Sequence, residues 1–238
     1  MERLDAALGY AADALGSAGG AALALLVPLA VLVAAASASS LFAERGLVAL
    51  MGPRPYLVAF GWLGTAVHEL GHAAMCLLFR HRIEEMRLLD PSLSRGALGY
   101  VVHSWDRRSL WQRAGNLFVG VAPVLLGAGV IAAGCWLLLP AAPTDAVAVA
   151  PGGDAAVALG VLPRLAEIAT AALASAASAL ERLADSAAYR GARPVLLLWI
   201  AISVGAAMNL SAADLEGAAA GVGFVLVGLA LAALGTAW

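Results

Sequence analysis

Charge is what this chain has least of. Only 13% of its 238 residues are charged, Lys is absent altogether, and all 14 cations are Arg. Soluble domains carry about 25% charge, so this composition excludes a soluble enzyme, and it equally excludes a disordered tail, which needs charge in place of apolar residues. With a net charge of −2 and no basic tract to follow a phosphate backbone, no nucleic-acid partner is expected. Cysteine is nearly missing too: Cys76 and Cys135 both fall inside apolar runs, so no disulfide framework holds a small secreted fold together. What fills the chain instead is apolar, 62% of it, against about 45–50% in soluble domains. The expectation is an all-α polytopic membrane protein forming a single integral membrane domain over 1–238. Composition alone does not separate a transporter, a channel, a scaffold and an enzyme.

The gaps between charges outline the architecture. Five stretches, 14–43, 55–79, 114–144, 194–213 and 217–238, are free of charge or nearly so, and each reaches the roughly 20 helical residues that cross a hydrocarbon core of about 30 Å. The first and third exceed that need, which places their buried parts near 20–42 and 114–139. The first ten residues are net acidic and the apolar run begins late, unlike a cleaved signal peptide, so the first stretch is expected to be retained as a span. Seven Arg lie between Arg80 and Arg113, against two in 44–54 and one before the first span. The positive-inside rule therefore puts the 80–113 loop in the cytoplasm. The N-terminus is then cytoplasmic and the C-terminus outside, in what is expected to be the cell membrane.

Two loops have texture. Within 80–113, residues 83–89 and 97–103 are short β-prone runs around a turn-rich 90–96, which predicts a hairpin. The 140–193 region reads as a Pro/Gly/Ala linker over 140–158 followed by an amphipathic helix over 159–190. That helix opens at Pro163, with Arg164, Glu167, Arg182 and Asp185 opposite Leu165, Ile168, Leu173, Leu180 and Leu183. It fits an interfacial packing helix or a gating lid. No internal repeat is evident, unlike the duplicated halves of many transporters.

One span is not free of ionisable groups, and such groups inside a membrane are functional candidates. The second holds His68-Glu69-Leu70-Gly71-His72. On a helix, positions i and i+4 share a face, so two imidazoles can bind one metal ion while Glu69 sits beside them as a base. The bland alternative, histidines bonding between packed helices, leaves a carboxylate unpaired at membrane depth. Catalytic zinc takes three protein ligands and keeps a position for water. Candidates for the third are Asp214, Cys76, His81, His103 and the loop acids. Topology favours Asp214, because the inner half of the second span and the inner end of the fourth share a leaflet. Cys76, one turn beyond His72, is the runner-up, and a helix cap is the competing role for Asp214.

These residues resemble the site-2 protease family, the intramembrane zinc metalloproteases, in which a helix bearing H-E-x-x-H meets an Asp from a later span. Val67-His68-Glu69-Leu70-Gly71-His72 matches the first element, and Ala213-Asp214-Leu215-Glu216-Gly217 matches the second loosely, its Gly lying two residues farther on. Asn116 and Pro123 are similar to an Asn and a Pro that members place after the hairpin. The resemblance covers roughly 55–130 and 195–220. It implies one zinc per chain held by His68, His72 and Asp214, with Glu69 as general base and Asn116 bonding the substrate backbone or the developing oxyanion. For Asn116 an interhelical hydrogen bond is the alternative. The implied partners are a transmembrane protein or peptide substrate and the lipid bilayer. A strand of the hairpin could hold the unwound substrate by β-addition, and Gly61, Gly64 and Gly71 would allow close approach to the second span. The second functional reading is a catalytically silent zinc-containing membrane protein that binds transmembrane clients. A metal transporter fits less well, since the outer halves of the spans lack a polar path.

Overall fold

An apolar chain in a water-poor setting satisfies its backbone by bonding N–H to C=O within one segment, which is what a helix does. The computed structural model describes residues 2–90, 98–139 and 192–235. It is mostly helical, with one two-stranded antiparallel sheet among the described residues. The linker and amphipathic helix expected over 140–193 lie, but for the last two residues, outside the described residues, as does the hairpin tip. The chain divides into two compact units. One comprises Met1–Leu32, Ala142–Tyr189 and Val225–Trp238; the other comprises Val33–Ala141 and Arg190–Phe224 and contains every candidate site residue.

The first helix, α1 (Glu2–Met51), continues through Glu44 and Arg45, past the expected end of the first span, and stops at Gly52. The φ of +85° there suits glycine alone, and Pro53 follows. A single turn, α2 (Pro53–Tyr56), and a π-helical turn (Leu57–Gly61) lead into α3 (Trp62–Leu78). After β1 (Arg82–Arg87) and β2 (Tyr100–Ser104) come α4 (Leu110–Leu138), α5 (Ala192–Gly205) and α6 (Ala212–Gly235). Among the described residues, two segments are long and apolar enough to cross a membrane, Leu26–Met51 of α1 and the whole of α4. That is fewer than the five expected from charge spacing. The predicted fourth span, 194–213, breaks after Gly205, so α5 has 14 residues and reaches about 21 Å, short of the roughly 30 Å of hydrocarbon. The predicted second span, by contrast, is helical without a break, α2 passing through the π turn into the 17 residues of α3.

Within the second unit α3 packs against both α4 and α5, which also pack on each other. Glycines set the spacing. A Cβ on Gly71 would stand 3.0 Å from the Ala122 carbonyl oxygen of α4, and one on Gly64 would run into the Ser203 backbone of α5. Small residues at these points let the helix backbones approach closely. The buried side of α3 mixes Val67, Ala73 and Cys76 with Glu69 and His72. Facing outward, Phe42, Leu50 and Trp136 are 83%, 86% and 82% exposed.

The strands are shorter than the β-prone runs. β1 ends before Leu88 and β2 starts at Tyr100; the preceding Gly99 lies against α3, where a Cβ would touch Glu69 and Thr65. The register pairs Arg82 with Ser104, Ile83 with His103 and Arg87 with Tyr100, with a bulge between Ile83 and Glu85. The turn from α3 into β1 is a Schellman motif. Arg80 adopts φ +61°, its N–H reaches Leu77 O at 3.2 Å, and the His81 N–H reaches Cys76 O at 2.7 Å.

Candidate metal centre

His68 and His72 stand one turn apart on α3, their ring centroids 5.0 Å apart. Their orientation is not left to rotamer preference. His68 Nδ1 lies 2.7 Å from Ala207 O and His72 Nδ1 lies 2.8 Å from Val119 O. A carbonyl oxygen only accepts, so each Nδ1 carries the proton and each Nε2 presents a lone pair. Outer partners of this kind fix the tautomer and raise the basicity of ligating histidines.

Both carbonyls are free for a reason that lies in the sequence. In α4 the N–H of residue 123 would bond to the carbonyl of Val119, but residue 123 is Pro, buried inside the helix. Val119 O is thereby released to His72. Ala207 lies in the non-helical 206–211 segment, where the N–H of Ser211 is taken by Asp214 Oδ2 at 2.7 Å and not by Ala207 O. Ala207 O is thereby released to His68.

Asp214 caps a helix and also lies within the group of candidate ligand atoms. It is the third residue of α6 and forms a capping box with Ser211: Asp214 N–H donates to Ser211 Oγ at 3.2 Å, while Oδ2 accepts the Ser211 N–H and Oγ–H at 2.7 Å each. The cap occupies Oδ2, which leaves Oδ1 to face His72 Nε2 at 3.2 Å. His72 Nε2 is also 3.2 Å from His68 Nε2, and the three ligand atoms lie within 4.8 Å of one another. Two nitrogens bound at about 2.05 Å in a tetrahedron are about 3.3 Å apart. The spacing of the set therefore fits a single zinc-sized cation.

Glu69 is buried beside this group and shares its cleft of about 610 Å³ with His68, His72, Asn116, Asp214, Tyr100 and His103. Asn116 comes from the second turn of α4, a helix capped by Ser109, whose Oγ accepts the Gln112 N–H at 3.3 Å. Cys76, the runner-up ligand, is not brought to this group; its Sγ gathers with His81 and His103 instead. His103 is half-buried, and burial, reinforced by His81 and His72, pushes its imidazole down to about 4.

The sequence reading missed the outer supports. Asn209 donates to Glu44 Oε2 at 2.7 Å, and Leu210 N–H donates to Ser37 Oγ at 2.9 Å, so α1 holds the 206–211 segment that carries Ala207 and leads to Asp214. Glu44 and Asn209 lie at or near the ends of charge-free runs in the sequence, where polar residues are ordinary. Pro123 within an apolar run was the one available signal. No family model, no curated protein and no solved structure matches the chain. Geometry and donor chemistry therefore carry the reading of this site.

Proposed function

We propose that the chain is an intramembrane zinc metalloprotease of the site-2 protease type, cleaving membrane-embedded protein or peptide substrates. One observation carries the proposal: His68 Nε2, His72 Nε2 and Asp214 Oδ1 converge as lone-pair donors in the cleft that Glu69 also lines. Zinc bound there supplies Lewis acidity, which lowers the pKa of water and polarises a peptide carbonyl. Glu69 accepts the proton of the attacking water and delivers it to the leaving amine. Asn116, across the cleft, donates to the substrate backbone or to the oxygen that gains charge. A helical peptide bond is shielded by its own turn, so the substrate must be extended. The outer edge of β2, whose Tyr100, Val101 and His103 line the cleft, offers backbone groups for that extended segment.

The membrane placement belongs to the same proposal. Five segments cross, namely α1, α2 with α3, α4, α5 with the turn after it, and α6, with the N-terminus and hairpin cytoplasmic. The outward exposure of Phe42, Leu50 and Trp136 supports contact with lipid. Burial of α3 against α4 and α5 supports a short central helix that does not itself need to match the bilayer.

The deciding experiment compares wild type with Glu69→Gln. Zinc content of the purified proteins should be equal, and a membrane protein should accumulate uncleaved only in cells carrying the variant. Zinc in both with no difference between the membrane proteomes would favour the silent client-binding reading. Wild type purified without any metal in the His68–His72–Asp214 group would sink both.

A further inference from the structure

Beyond the end of α3 lies a second group of ligand atoms that the proposed proteolysis does not use: Cys76 Sγ and the imidazoles of His81 and His103. Three elements deliver them. Cys76 is in the last turn of α3, and the Schellman turn at Arg80 doubles the chain back so that the His81 N–H bonds to Cys76 O. His103 arrives from β2, in register with Ile83 beside the bulge. Cys76 is fully buried and His81 is 4% exposed.

The nitrogens are oriented as ligands would be. His81 Nε2 donates to Gln112 O at 2.8 Å, which leaves its Nδ1 with a lone pair, and that Nδ1 lies 3.2 Å from His103 Nδ1. The separation matches the roughly 3.3 Å expected of two imidazoles on one tetrahedral ion. Trp105 covers the pair, its ring 5.9 Å from His81 and 5.6 Å from His103. A proton shared between the two Nδ1 atoms would satisfy the imidazoles. It would leave unexplained why a buried thiol completes the group within 4.8 Å.

We propose that Cys76, His81 and His103 bind a second metal ion, a borderline-soft cation such as Zn²⁺ that accepts one thiolate and two imidazoles. The thiol loses its proton to solvent on binding, so the site gains a net charge of +1 with Zn²⁺. The ion ties β2 to the end of α3. Because His103 also lines the cleft beside Glu69, it holds the strand edge in place there.

The two groups differ in one observable way, since only the second contains sulfur. The full chain, purified in detergent and reconstituted with Co²⁺, is expected to bind two ions and to show a thiolate-to-cobalt charge-transfer band in the near ultraviolet. Cys76→Ser should lose that band and one ion, whereas Cys135→Ser should keep both. His68→Ala combined with Asp214→Ala should lose one ion and keep the band, so failure of the protease site and failure of this one are told apart. His81→Ala should weaken the band-forming ion at least tenfold. If Cys76→Ser does not fold, zinc absorption fine structure of wild type decides, by a sulfur neighbour at about 2.3 Å. A wild type that binds one ion with no sulfur neighbour and no band overturns the proposal, leaving a His81–His103 hydrogen bond. A band that survives in folded Cys76→Ser overturns it equally.

Discussion

The middle and the end of α3 present side chains of similar chemistry that are held in opposite ways. At the middle, His68 and His72 are positioned from far along the chain: by Val119 O on α4, by Ala207 O after α5 and by Asp214 at the start of α6. At the end, Cys76 and His81 are set by a local turn, and their partners Gln112 and His103 follow within the next 36 residues. The first arrangement depends on three helices docking. The second depends on one Schellman turn and one hairpin. Damage to helix packing should therefore reach the His68–His72–Asp214 group before it reaches the Cys76 end.

The sharpest break in that comparison is Asp214→Ala, which removes a ligand oxygen and half of the capping box together. Zinc bound at His68 and His72 should weaken at least a hundredfold in a competitive chelator titration, in keeping with loss of one ligand of three. Pro123→Ala comes next. It restores an N–H that competes for Val119 O, so His72 loses its orienting acceptor, and zinc affinity should fall about 10–100-fold although α4 itself gains a hydrogen bond. An unchanged affinity would mean that the proline does not act through His72.

Gly64→Ala tests the docking and not the chemistry. Its Cβ meets the Ser203 backbone of α5, and α3 and α5 must separate or shift. A loss of roughly 1–3 kcal/mol is expected in unfolding measured in detergent, with zinc release preceding any change at the Cys76 end. Smallest is Ser211→Ala, which removes the cap and leaves Oδ1 of Asp214 in place. A destabilisation of about 1 kcal/mol with nearly unchanged zinc affinity would separate the two tasks of that carboxylate.

Much of the centre was legible in residue order. The i, i+4 spacing of His68 and His72 needs only a helix, and their place in an apolar run made them conspicuous. Asp214 was legible as the acid interrupting the last two apolar runs, though not as a residue that caps with one oxygen and faces His72 with the other. Span ends were the poorest guide. Charge gaps overlook breaks in helices, and the break after Gly205 carries no charge at all, being made by a turn whose polar groups Glu44 and Ser37 satisfy from α1.

Residue order by itself determined that the chain is apolar and mostly helical, and that two imidazoles lie one turn apart on one helix face with a carboxylate beside them, because composition and a period of 3.6 residues are local properties. Only the tertiary structure decided which carbonyls fix the imidazole tautomers and which distant acid meets them. It also separated Cys76 from that group and gave it to His81 and His103. Hydrogen bonds to the imidazoles depend on which backbone carbonyls are released where α3 meets α4 and the turn after α5, and that is a property of the packed helices.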